Sequence, residues 1–234
     1  LEKDTYILNL ESSTLTSSVS ISKNGKTWLL KEKKNANHAT DLSIFIEDIF
    51  REKWIDKKDL SAIAISGGPG SYTGLRIASA MAKAMAFALD IPLISVNTLE
   101  LPIAAFMRNE QMSSDALILS VLDARRADAF ALLKNHENLI VKNTFFATLN
   151  QEFLETLFQN KKKLFVCGNA TEKLDSLKIN FPELRLTAYQ EFSARDMEVL
   201  SFEKYCSKKF EQIDDYEPEY LKAPFITQSK KNLL

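Results

Sequence analysis

The stretch Ser66–Ala88, SGGPGSYTGLRIASAMAKAMAFA, holds four of the chain's six glycines: Gly67, Gly68, Gly70 and Gly74. It follows the short apolar run Leu60–Ser66 (LSAIAIS). That order reads as a buried strand, a tight turn, and a helix from about Thr73 to Leu89. Phosphate-binding loops use the same order, so the glycine spacing decides. The Walker pattern G-x-x-x-x-G-K-[ST] fails, because five residues beyond Gly67 lies Tyr72, and five beyond Gly70 lies Leu75. The dinucleotide pattern G-x-G-x-x-G starts at Gly68 and Gly70 but then meets Thr73, with Gly74 one place late. Two compatible readings remain. Unpaired N–H groups and the helix dipole favour an anion near Gly68, Gly70 and Ser71. Alternatively the glycines make a sharp turn that seats the helix on its sheet, with Ser71 or Thr73 as cap.

The helix after the turn is unusual. Ala78 and Ala82, then Ala84 and Ala88, repeat at four-residue spacing, and Arg76 and Lys83 are the only charges from Leu75 to Leu89. A helix so small and apolar all round is buried on more than one side. One side covers its own sheet. The other takes a second helix at close range, either the neighbouring one around Phe45 or one from another protein.

Working outward, Tyr6–Ser12 (YILNLES) reads as a central strand. SVSISK and TWLLKEK follow around Asn24-Gly25, a strong hairpin signal. Leu42, Phe45, Ile46, Ile49 and Phe50 form one face of a helix. Ile91–Val96 is a short strand, and Asn97–Asn109 a helix with Pro102 in its first turn. The second half repeats the order. ALILSVLDA and DAFALLK flank Arg125-Arg126, LIVKNTFFAT is a third strand, and Asn150 caps a helix over NQEFLETLFQN. KLFVCGN is another strand, and a last helix runs from about Ser193 to Phe210. The tail from Asp215 has neither period and is expected to pack partly and then fray.

This predicts two copies of β-β-β-α-β-α, hence an α/β fold with two mixed-sheet lobes, residues 1–110 and 111–234. That is the duplicated, ribonuclease H-like architecture of the actin, Hsp70 and sugar-kinase superfamily. Such a fold leaves function open.

Composition narrows the classes. The 234 residues are 45% apolar and 26% charged, with a formal net charge of −1. That disfavours a strongly electrostatic partner such as duplex nucleic acid or an anionic membrane. No apolar run is long enough for a membrane helix, and LEKDTYILNL lacks a secretory pattern, so the cytoplasm is the expected location. Cys167 and Cys206 are too few for a disulfide framework. His38 and His136 are the only histidines and are not at a ligand spacing; His38 reads as a surface or cap residue. No G-x-S-x-G elbow occurs. Glu11, Ser12, Ser13 and Thr14 end the first strand, where superfamily kinases place an Asp. They read either as a remnant phosphate loop or as a turn with hydroxyls bonded to the backbone. Asp123 could face Glu11 across the cleft, or pair with Arg125 and Arg126.

Taken together, ILNLESST, LSAIAISGGPGSYTGLRIASAMAKAMAFALDIPLISVNTLE, LDARRADAFALL and PEYLKAP resemble the TsaB (YeaZ) family. The resemblance covers nearly the whole chain in order and is weakest from about Lys134 to Met197. It implies a non-catalytic partner in threonylcarbamoyladenosine biosynthesis on tRNA. It implies pairing with a TsaD-like catalytic subunit through two N-terminal helices, here about Ala39–Trp54 and Thr73–Leu89. The implied contacts are Leu42, Phe45, Ile46, Ile49, Ala78, Met81, Ala82 and Met85. A TsaE-like ATPase joins the complex, tRNA is met indirectly, and the chain forms a homodimer when alone. No cofactor or metal is implied as a requirement, with room for weak ATP or ADP binding. In TsaD-like chains two metal-binding histidines stand where this chain has Thr98 and Pro102. The alternative is an ATP-binding small-molecule kinase or ATPase of the same superfamily.

Overall fold

The computed structural model describes residues 4–52, 55–158 and 163–221. The chain opens with β1 (Tyr6–Glu11), β2 (Ser17–Lys23) and β3 (Lys26–Lys33). Asn24 and Gly25 turn the β2–β3 hairpin with φ of 49° and 77°. Both values are positive, as the favoured two-residue hairpin turn requires. Next come α1 (His38–Arg51), β4 (Leu60–Ser66), α2 (Tyr72–Leu89), β5 (Leu93–Val96) and α3 (Glu100–Asn109). The second half supplies β6 (Ala116–Asp123), β7 (Asp128–Asn135), β8 (Ile140–Thr148), α4 (Gln151–Phe158), β9 (Lys163–Cys167), β10 (Leu184–Leu186) and α5 (Glu198–Cys206).

The strands form two five-stranded sheets, ordered β3-β2-β1-β4-β5 and β10-β9-β6-β7-β8. Read in reverse, the second order is that of the first. In each, two antiparallel pairings lead into parallel ones. The chain therefore has the duplicated α/β fold of the actin superfamily.

Strand alternation sets the layers. On the first sheet Leu8, Leu10, Ile63 and Ile65 face α1 and α2, with Leu42, Ile49, Ala78 and Ala82. Ile7, Ala62 and Ala64 face the opposite way, onto Ile103 and Phe106 of α3 and onto Met197. Ile118, Leu122 and Leu132 of the second sheet join that same central layer. Leu119, Val121 and Val166 point outward to Leu154 of α4. Two sheets thus enclose one helical layer and carry another on each outer face. No helix of the described residues is long and apolar enough to cross a membrane.

The second copy is the more degenerate. In place of a counterpart to α2 stands a 3-10 turn, Thr171–Leu177. The helix expected from Ser193 to Phe210 divides into a 3-10 turn, Ala194–Met197, and the nine residues of α5. Trp54, expected inside the first helix, lies outside the described residues, as does the tail beyond 221. Residues 193–221 cross back to the first lobe. Ala194 N–H donates to Ser18 Oγ at 2.8 Å, Lys204 Nζ donates to Ser95 O at 2.6 Å, and Glu211 bridges to Leu93. A division at residue 110 therefore separates the sheets but not the packing.

Candidate functional sites

The glycine turn is enclosed by the chain itself. Ser71 N–H donates to Ser13 O at 2.7 Å, and Ser12 Oγ donates to Gly74 O at 2.8 Å. A Cβ on Gly74 would stand 1.9 Å from Ser12 O, so only glycine lets the first turn of α2 meet that loop. From the other side, Gly67 N–H donates to Val96 O at 2.7 Å and Gly68 N–H to Thr98 Oγ1 at 3.1 Å. The tail closes over the turn, with Glu219 N–H donating to Gly67 O at 2.7 Å. Ser71 caps α2, its Oγ accepting from Gly74 N–H at 3.3 Å. The N–H groups of Gly67, Gly68, Ser71 and Gly74 thus all have partners within the chain. The turn holds three segments together, and these donors are not directed at a ligand. Thr98 ties this turn to the start of α3, and Pro102 is buried in α3.

Glu11, Ser12 and Ser13 are buried, and Thr14 is half-buried. Glu11 Oε1 accepts from Ser13 N–H at 2.7 Å and from Ser13 Oγ–H. Thr14 Oγ1 accepts from Thr16 N–H at 3.3 Å. These are the local bonds of a hydroxyl-rich turn. Glu11 Oε2 and Ser66 Oγ are buried as well. Burial pushes the Glu11 carboxyl up, against the pull of the Ser13 and Ser66 hydroxyls.

Asp123 does not pair with Arg125 or Arg126 through their side chains. Lys173 Nζ reaches it at 2.5 Å, and Arg125 donates its backbone N–H to it at 2.7 Å. The reason is the turn: Arg125 and Arg126 have φ of 75° and 51° at the tip of the β6–β7 hairpin.

His38, read from sequence as a surface or cap residue, is half-buried, with Nδ1 2.7 Å from Ser17 Oγ. Ser17 is fully buried, so this pair is structural: no substrate reaches the hydroxyl. The cap of α1 is Asn37, whose side chain accepts from Thr40 N–H. Burial lowers the His38 pKa, against the Asp41 charge. The pair links β2 to the start of α1.

The two outer helices fix which residues a partner can touch. Leu42, Ile46, Ile49, Ala78 and Ala82, expected as contacts, are all buried in the chain's own core. Phe45, Met81 and Met85 are half-buried against that core. The neighbouring helix is therefore one cover of α2. The expectation is corrected for the five buried residues, because α1 and the first sheet enclose them. What α2 leaves open is a different strip: Arg76, Ala80, Ala84, Phe87 and Ala88 are exposed, at the three- and four-residue spacing of one helix face. Phe87 is 76% exposed, and α1 adds Ile44 at 44%. Beside the strip, Lys83 Nζ donates to Tyr216 O at 3.1 Å, so the tail flanks α2.

The chain has the duplicated fold of the actin superfamily, and its glycine turn packs against Ser13, Thr98 and Glu219 of the same chain. The family model described as "TsaD: tRNA N6-adenosine threonylcarbamoyltransferase" matches residues 31–216. The "tRNA threonylcarbamoyladenosine biosynthesis protein TsaB" of Buchnera aphidicola is 27% identical over 159 residues, 67% of this chain and 71% of that protein. The protein of the same name from Bacillus subtilis is 31% identical over 137 residues, 58% of each. The solved structure "YeaZ from Pseudomonas aeruginosa" superposes with a TM-score of 0.72 at 22% identity, covering 93% of this chain and all of that one, which attests the fold. The chain belongs to the TsaD family of that model and, within it, to the TsaB/YeaZ proteins.

Proposed function

We propose that this chain is a non-catalytic activating subunit for threonylcarbamoyladenosine modification of tRNA. It docks a TsaD-like catalytic subunit through the exposed strip of α2, works alongside a TsaE-like ATPase, and meets tRNA through that complex. Alone, it pairs with a second copy by the same strip. The observation that carries the reading is the strip itself. Alanines at 80, 84 and 88 let a partner helix come close, and Phe87 supplies an apolar anchor beside them. The family supplies the partner's nature, since the matching model is described by a catalytic activity and the relatives above carry the name of a biosynthesis protein. The interior supports the non-catalytic role. Thr98 and Pro102 offer no imidazole, Ser17 is closed to substrate, and the glycine turn is filled by Ser12, Ser13 and Glu219.

Reconstitution tests it. The chain is added to its cognate TsaD-like and TsaE-like subunits with threonylcarbamoyl-adenylate and tRNA, and modified nucleoside is measured. Modification that depends on the chain is expected. Full modification in its absence, or turnover of threonylcarbamoyl-adenylate by the chain alone, would overturn the reading.

A further inference from the structure

The open row of α2 is not uniform. Tyr72, Arg76, Ala80, Ala84 and Ala88 follow one another at four-residue spacing, all exposed, and Phe87 stands beside the last of them. From Arg76 to Ala88 the row is about 18 Å long, at ~1.5 Å of rise per residue. Arg76 is its only charge. A cation thus marks one end of the row and an aromatic ring the other.

Arg76 is exposed yet held. Its guanidinium lies 5.1 Å from the centroid of the Tyr72 ring and donates to the Tyr72 hydroxyl. The Tyr72 ring in turn meets that of Tyr220, with centroids 4.9 Å apart. Tyr220 follows Glu219, whose N–H donates to Gly67 O at 2.7 Å. The tail thus fixes one ring over the start of α2, that ring packs on a second, and the second orients the guanidinium.

Its charge is not met within the chain. Among the described residues no acid forms an ion pair with Arg76. The tail acids Glu217 and Glu219 are exposed and are likewise not bonded to it. α2 has no acidic residue in its first turn, where the helix dipole favours an anion. A partner helix close enough to cover Ala80 and Ala84 also takes water from Arg76. A guanidinium buried without a counter-ion is costly, whereas a carboxylate meets its fork with two charge-assisted hydrogen bonds. Orienting the fork beforehand lowers the cost of ordering it in the complex.

We propose that Arg76 pairs with a carboxylate on the facing helix of the catalytic subunit, and that Tyr72 and Tyr220 are positioning residues for that pair. A second copy crossing α2 over α2 cannot supply the carboxylate, because Tyr72–Leu89 contains neither Asp nor Glu. On α1, Glu47 is exposed, so self-association is read in the same experiment.

This pairing rests on the docking reading, so the test keeps the two apart. Binding of the full chain to the TsaD-like subunit is measured by calorimetry and sedimentation velocity, in about 0.05 M and about 0.5 M NaCl. Arg76 is exposed, so its variants are expected to melt within about 2 °C of the parent. At low salt Arg76→Ala weakens docking by about tenfold to 100-fold, and Arg76→Glu by more. Arg76→Lys loses less than Arg76→Ala, because the ammonium keeps the charge without the fork. Tyr220→Ala leaves both charges in place and weakens docking by about twofold to tenfold. High salt weakens the parent more than Arg76→Ala, a difference that packing alone does not produce. Ala84→Glu is the control for the strip. If it weakens docking and Arg76→Glu does not, the docking stands and the pairing is overturned. If neither weakens docking, the docking reading falls and takes the pairing with it. Equal salt dependence of the parent and Arg76→Ala would also overturn the pairing, as would an Arg76→Glu chain that loses only self-association.

Discussion

Two alanines two residues apart on α2 separate the docking reading from its rivals. Ala82 is fully buried between α1 and the first sheet, whereas Ala84 is exposed on the open strip. Ala82→Glu adds side-chain volume to a closed core, at about 1–3 kcal/mol, and several kcal/mol more for a buried, unpaired carboxylate. Against a total stability of about 5–15 kcal/mol for a typical domain, that variant is expected to fold poorly or not at all. Ala84→Glu meets water in the isolated chain. Its effect on stability is within about 0.5 kcal/mol, or about 1–2 °C in melting temperature for a chain of this size. In the complex the same carboxylate is buried without a partner, which costs about 2–5 kcal/mol and weakens docking by about 30-fold to 5,000-fold. Thermal melts and sedimentation velocity with the TsaD-like subunit measure both numbers. If Ala84→Glu melts normally and still sediments as a full-affinity complex, the strip is not the interface. If Ala82→Glu melts like the parent, the packing between α1 and α2 is wrong.

Other perturbations read other parts of the structure. Glu11 has a raised carboxyl pKa in the folded chain, so it contributes stability below its ordinary value that is lost as pH rises through the folded value. Glu11→Gln is expected to flatten that loss, by up to about 1.4 kcal/mol per pH unit in urea midpoints, and an unchanged pH profile would refute the assignment. His38 has a lowered pKa, so its contribution is present above the unfolded value and is lost as pH falls through the folded one. His38→Gln should reduce the acid sensitivity of the melting temperature between about pH 7 and pH 5. Gly74→Ala drives a Cβ into Ser12 O, 1.9 Å away, and should cost more than the ~1–3 kcal/mol of ordinary overpacking, seen as a large drop in urea midpoint. Calorimetric titration with ATP and Mg²⁺ addresses the kinase reading. Only weak binding without turnover is expected from the isolated chain, and tight binding with hydrolysis would favour the kinase.

The sequence carried local order better than long-range closure. Asn24-Gly25 announced its hairpin because both residues accept positive φ cheaply. The alanines of α2 announced double-sided burial because a small helix has no polar face to leave in water. What was hidden depended on partners far along the chain. Ser13 and Glu219 fill the glycine turn from more than fifty residues to one side and more than a hundred to the other, and no spacing rule records that. The burial of Leu42 and Ala82 within the chain was hidden for a related reason. Periodicity finds the apolar face of a helix and does not say whether its own core or another chain covers it.

The return of residues 193–221 to the first lobe bears on how the chain is made. β1 leaves the ribosome early, yet the cover over its neighbour's glycine turn includes Glu219, and its central-layer packing includes Met197. The first sheet therefore cannot reach its final state while it is being synthesised. At a typical 5–20 residues per second, about five seconds or more separate its last strand from the segments that complete the sheet. During that interval the inner face of the sheet, with Ile7, Ala62 and Ala64, has α3 against it but lacks the part of its cover that Phe192 and Met197 supply. Nascent chains stalled before Ser193 are expected to be held by chaperones, while full-length chains are released.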